Sequence, residues 1–297
     1  MGKRIKLRRI KENPDQNFIE RNEDEITNLR SFIRDNFIYE NYDKFISEWL
    51  GKNLYDFAYF ILDKVFMNKK VEIENFENVP EKGPAIIASN HPYWVEPLFI
   101  AYELYQKRGQ KSYFWGEGQL GEKDSMSMYV FKYFQKEMGD NVGTYLLSDL
   151  VSNVFSPFFQ TEYYIPVYRG KDGREEMYKL TLEELKKDKL IMILPENPDA
   201  KDIKDTREML YQHRQGCLYK LCFGIAGLVE RAYNNDIKVP VIPAAVSGSG
   251  ENILKPGIIK MRFDDPVYFS DYEGRKDFLK DLEKKIYDNV VDLYGLE

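Results

Sequence analysis

The chain has 297 residues, 43% of them hydrophobic and 31% charged, with a formal net charge of -6. That length can bury the core of one large α/β domain or two small ones. The acidic balance argues against general nucleic-acid binding, which needs a clustered basic surface. Two cysteines are too few for a disulfide framework and suit a reducing cytosol. The 22 Tyr and 19 Phe serve either a core or a boundary between water and an apolar phase.

The opening eleven residues carry Lys3, Arg4, Lys6, Arg8, Arg9 and Lys11. They read as a solvated tail or as a docking segment for anionic lipid, where each basic side chain contributes roughly 1 kcal/mol. Met1-Gly2 does not open a myristoylation signal, because Lys6 stands where Ser or Thr is required. No apolar stretch follows, so the segment is not a secretory signal. No run of about 18 apolar residues predicts a bilayer-spanning helix.

Residues 1–70 read as a helical N-terminal region. Its stretch Asn53–Met67 is apolar nearly all round, which suits burial or a half-sunk place in a membrane interface. From 71 onward, residues 71–297 read as one α/β domain. Strands are predicted at 71–75, 85–89, 112–115, 163–168, 190–194, 239–246 and 258–263, and helices near 97–108, 143–156, 174–187, 216–233 and 275–293. The 143–156 helix sets two apolar rows opposite Ser148, Asp149, Ser152 and Asn153, for the core or for a lipid-facing lip. Alternating strands and helices predict the α/β class, a mostly parallel central sheet flanked by helices. Ligands of such sheets gather at the carboxyl ends of strands, and Asn90-His91 directly follows the strand 85–89.

His91 and Glu96 are the candidate catalytic pair. An imidazole titrates near the pH at which a hydroxyl must be deprotonated, and a carboxylate can hold its tautomer and stabilise the imidazolium. Residues five apart in a regular helix point about 140° away from each other. Pro97 relieves this, because proline favours the first helical position and leaves Glu96 at the cap. Pro92–Val95 can then form a turn that returns the carboxylate to the ring. A satisfied structural histidine is the competing reading.

The lead-in Val79-Pro80-Glu81-Lys82-Gly83-Pro84-Ala85-Ile86-Ile87-Ala88-Ser89-Asn90-His91 resembles the first motif of the glycerolipid acyltransferases, the lysophosphatidic acid acyltransferase superfamily, in which His is followed after four residues by an acid. Later segments resemble its other motifs in order. These are Ile165-Pro166-Val167-Tyr168-Arg169, Leu194-Pro195-Glu196, Arg214-Gln215-Gly216 before a long helix, Val239-Pro240-Val241-Ile242-Pro243, and Lys255-Pro256-Gly257 with Met261–Val267. The resemblance spans about residues 71–270. It implies a fatty acyl thioester donor, on coenzyme A or acyl carrier protein, and a hydroxyl of a lysophospholipid or related glycerolipid as acceptor. It makes His91 the general base, Glu96 its orienting acid, and Arg169, Glu196 and Asn197 the acceptor-binding residues. No cofactor and no metal are expected, nor any nucleic acid. The expected partners are the thioester, the lipid acceptor and a membrane surface, with a cytoplasmic, peripheral place on its inner face.

Two departures from the family pattern stand out. Glu96 replaces the Asp of most glycerolipid members and resembles the late acyltransferases of lipid A biosynthesis. The third motif usually runs Glu-Gly-Thr-Arg and here reads Glu196-Asn197-Pro198-Asp199. Asn197 suits the left-handed backbone of the glycine. Asp199 reverses the charge of an arginine that would suit a phosphate, with Arg169, Lys201, Lys204 and Arg207 as possible replacements. A sugar or amine-bearing lipid acceptor, or a catalytically silent lipid-binding protein on this fold, are the alternatives.

Three other signals are set aside. Gly116-Glu117-Gly118-Gln119-Leu120-Gly121 fits a dinucleotide fingerprint but lacks the following helix and acidic strand end. Ser247-Gly248-Ser249-Gly250 lacks the leading glycine of a nucleophile elbow. Cys217 lies in an apolar pattern expected to be helical, and with Cys222, His91 and His213 makes no zinc spacing.

Overall fold

The computed structural model describes residues 69–91, 96–118, 135, 139, 144, 148, 163–167, 171–195, 209–213, 216–219, 221–248 and 257–295, with backbone alone for 96–98, 117, 171–172, 209–213 and 216–219. The expected helical region 1–70 lies outside them except for its last two residues. Two compact units divide the chain, Met1–Leu54 with Leu120–Gln160, and Tyr55–Gln119 with Thr161–Glu297. Of the first, only Gln135, Gly139, Thr144 and Ser148 are described. Ser148 was expected opposite the apolar rows, yet it is fully buried, its hydroxyl donating to Thr144 O at 2.7 Å. Such a bond satisfies a buried hydroxyl inside a helix.

Among the described residues of the second unit, nine strands and four α-helices follow in order. They are β1 (Lys69–Glu74), β2 (Ala85–Ser89), α1 (Glu96–Arg108), β3 (Ser112–Glu117), β4 (Tyr164–Val167), α2 (Lys171–Leu185), β5 (Leu190–Ile193), β6 (Met209–His213), β7 (Gly216–Tyr219), α3 (Phe223–Asn234), β8 (Val241–Ser247), β9 (Gly257–Phe263) and α4 (Arg275–Tyr294). Seven of the strands form one sheet in the order β1-β9-β8-β2-β5-β3-β4. Every neighbouring pair is parallel except β8 with β9. The mostly parallel sheet flanked by helices is therefore as expected.

The central strands are buried along their whole length, which is why β2, β5 and β8 read as unbroken apolar runs. The crossover β2–α1–β3 moves toward the β4 edge, whereas β4–α2–β5 and the return through α3 to β8 move the other way. Right-handed crossovers then place α1 on one face and α2 and α3 on the other. The main core agrees. It joins Ile86, Ile191 and Val241 to Met177, Leu185, Ile225, Leu228, Phe278 and Leu282 from α2, α3 and α4, and contains nothing from α1.

Pro243 lies inside a central strand, where a missing donor would ordinarily break a ladder. Here it sits at the end of the β8/β9 pairing, next to the pair Ala244↔Phe263. Its carbonyl accepts from Asp264 N–H at 2.8 Å, and the donor it lacks falls where β9 has ended. One expected element is corrected. The helix predicted over 216–233 begins only at Phe223, because Gly216–Tyr219 pairs antiparallel with Met209–His213. Cys217 is thus in a strand. Two residues separate these strands, a hairpin spacing that outweighs the apolar helical pattern.

Candidate active site

Strand β2 carries the site. It is flanked by β8 and β5, and ends at Ser89. Asn90 is 1% exposed, and His91 beyond it is half-buried. Because β2, β3, β4, β5 and β8 run parallel, their carboxyl ends come to one edge of the sheet. His91 therefore sits at the edge where parallel sheets hold ligands.

The local backbone meets the condition set by the five-residue spacing. His91 lies outside any helix, so it does not share a regular helix with Glu96, where the described part of α1 begins. The side chain of Glu96, residues 92–95, and the acceptor-site candidates Arg169, Glu196 and Asn197 lie outside the described residues. Their neighbours in the chain are described. Val167 ends β4 two residues before Arg169, and Pro195 follows β5 immediately before Glu196.

The exit of β5 is tied down on both sides. Pro195 O accepts from Cys222 N–H at 2.8 Å, just before α3 begins. The neighbouring Leu221 N–H donates to Glu283 of α4 at 3.0 Å. The position that precedes the third motif is thus fastened to two helices. On β3, Trp115 Nε1–H donates to Thr181 Oγ1 at 2.8 Å, and Thr181 Oγ1 passes its own proton toward Met177 O at 2.7 Å.

Two glycines set aside as motif residues prove to be packing requirements. A Cβ on Gly116 would come within 2.4 Å of the Tyr164 ring on β4, so this position in β3 must be bare for the edge strand to pack. Gly248 has φ +80°, and a Cβ there would lie 2.1 Å from the carbonyl oxygen of Ile258. The turn after β8 therefore needs glycine for conformation and for space. Neither glycine cradles a phosphate by that geometry.

Buried charge near the site is sparse. Glu103 in α1 is 9% exposed, and burial pushes its carboxyl pKa up against the opposing effect of Lys107. Asn90 was placed with His91 at the strand exit but given no role of its own from the sequence, and its buried amide bonds to β8. The available signal was a polar residue closing an all-apolar strand.

The region just described, from β1 through β3, is matched by a family model. Residues 70–124 match the family described as Acyltransferase, a span that contains His91 and Glu96. No curated protein matches the chain. Among solved structures it is similar to the 1-acyl-sn-glycerophosphate (LPA) acyltransferase PlsC from Thermotoga maritima. The two are 14% identical with a TM-score of 0.45, over 90% of this chain and 95% of that one. The matched segment holds His91 at the carboxyl edge of the sheet and so resembles the Acyltransferase family at the candidate site.

Proposed function

We propose that this chain is an acyltransferase that moves a fatty acyl group from an acyl thioester, on coenzyme A or acyl carrier protein, to a hydroxyl of a lysophospholipid or related glycerolipid. The observation that carries this reading is His91 at the exit of the central strand, with α1 beyond it, within the matched segment.

In the proposed reaction His91 takes the proton from the acceptor hydroxyl as its oxygen attacks the thioester carbonyl. The new ester bond forms as the carbon–sulfur bond breaks, and the proton leaves with the thiol. Glu96 orients the imidazole and stabilises its charged form. Helix geometry supports that role. Residues about 100° apart per step place positions 96, 99, 100 and 103 on one face, and Phe99, Ile100 and Glu103 are buried. Position 96 is in helical register with these buried residues.

The acceptor site is proposed at the exits of β4 and β5, from Arg169, Glu196 and Asn197. Strand order favours Glu196 for that place, because β5, which it follows in the chain, is the neighbour of β2. The third motif supplies a reason to hold a second acceptor class in view. Asp199 stands where an arginine would favour a phosphate, so a sugar or amine-bearing lipid is the competing acceptor. The membrane surface is proposed as the place where donor and acceptor meet. Among the described residues no helix is long and apolar enough to cross a membrane, so peripheral docking is the mode proposed.

The test is a transfer assay with labelled acyl-CoA and labelled acyl carrier protein against a panel of lyso-lipids. Transfer to phosphate-bearing lyso-lipids supports the leading reading. Transfer to sugar or amine-bearing lipids alone moves the acceptor to the second class, and no transfer to any acceptor contradicts both.

A further inference from the structure

The last paired residues of β2 and β8 are Ser89 and Ala244. One more step of that parallel register would have Val246 N–H donate to the main-chain carbonyl of Asn90, and Val246 C=O accept from the N–H of residue 92. Residue 92 is proline, which has no N–H. Val246 is fully buried, so an unmet carbonyl there would go without water as well. The Asn90 side chain meets both needs. Its Nδ2 donates to Val246 O at 3.1 Å, and its Oδ1 accepts from Val246 N–H at 2.8 Å. The amide orientation follows from chemistry, since an N–H can only donate and a carbonyl only accept. Ser89 Oγ adds a longer bond to the same Oδ1 at 3.3 Å.

We propose that Asn90 is a positioning residue whose carboxamide replaces the next rung of the β2/β8 ladder, ending the strand there and freeing the main chain to turn and present His91. A carboxamide carries the same donor and acceptor as a peptide group, so it closes the ladder without continuing it. The inference rests on the reading of His91 as the general base.

The test compares the full-length wild type with Asn90→Ala and Asn90→Asp. Asn90→Ala lowers kcat about 10²-fold, the size expected for an ångström-scale misplacement of a catalytic group, while the KM for the thioester changes by less than about twofold. The chain has two histidines, so the His91 ring resonance in a proton NMR spectrum is assigned by difference with His213→Gln. In Asn90→Ala that resonance shifts. A folded Asn90→Ala with wild-type kcat and an unmoved His91 resonance overturns the proposal.

If Asn90→Ala does not fold, Asn90→Asp decides. Its carboxylate accepts from Val246 N–H but repels Val246 C=O, whereas its protonated form restores both bonds. Its melting deficit relative to wild type therefore shrinks as pH falls; an equal deficit at every pH overturns the two-bond bridge. The resonance and melting readouts do not depend on acyl transfer. Activity retained by His91→Ala sinks the functional reading alone, and full activity in Asn90→Ala beside a dead His91→Ala sinks this inference alone.

Discussion

The two ends of strand β2 are secured by different chemistry. At the amino end the loop from Phe76 to Glu81 is stapled by α1. Arg108 Nη2 donates to Phe76 O at 3.1 Å and Nη1 to Val79 O, while its guanidinium lies 4.5 Å from the centroid of the Phe76 ring. Gln110 Nε2 donates to Glu81 O at 2.9 Å. Phe76 in turn meets Phe263 edge-on at 5.8 Å. At the carboxyl end the bond to β8 is made by one neutral carboxamide, Asn90. The strand is thus anchored by charge and aromatic contact at its amino end, and by a neutral bridge beside His91 at its carboxyl end.

Breaking the reactive end is expected to give the largest effects. Glu96→Gln should lower kcat by about 10²-fold or more, as loss of an orienting carboxylate does, while Glu96→Asp retains most of it. Steady-state kinetics check both, and equal activity of Glu96→Gln and wild type contradicts the assigned role. Breaking the anchored end should cost stability and leave chemistry intact. Arg108→Ala should lose about 1.5–3 kcal/mol, the range for hydrogen bonds from a charged group, read as a lower denaturation midpoint. A similar loss, about 1–3 kcal/mol, is expected for Gly248→Ala, because the added methyl meets the Ile258 carbonyl in a left-handed backbone.

The smallest effect belongs to the buried acid on α1. Burial raises the Glu103 pKa above its unfolded value, so the folded protein binds its proton more tightly. Stability from this group is then fully present below the unfolded pKa and is lost as pH rises through the raised folded one. Glu103→Gln should therefore melt higher than wild type at neutral pH, with the gap closing as pH falls below the carboxylate range. A gap that widens on acidification reverses the sign and contradicts the argument.

Much of this was legible from residue pattern. The strand Ala85–Ser89 and the start of α4 came from an unbroken apolar run and from helical periodicity. What escaped shares one cause, which is that the deciding partner is far away in sequence. Gly116 is bare because of Tyr164, Gly248 because of Ile258, and Asn90 is satisfied by Val246. The hairpin Met209–Tyr219 was hidden for a different reason. Gly216–Tyr219 continues an apolar pattern into α3, so period alone did not separate strand from helix. The pairing of His91 with Glu96 is proposed from spacing, and His91 lies outside any helix.

The central claim is that one imidazole at the end of β2 removes the acceptor proton. It is tested most directly by following transfer of a labelled acyl group from thioester to lyso-lipid in wild type and His91→Ala, with circular dichroism on both. Unchanged spectra with transfer lost by about 10²–10⁴-fold are expected. A folded His91→Ala that transfers at the wild-type rate contradicts the account.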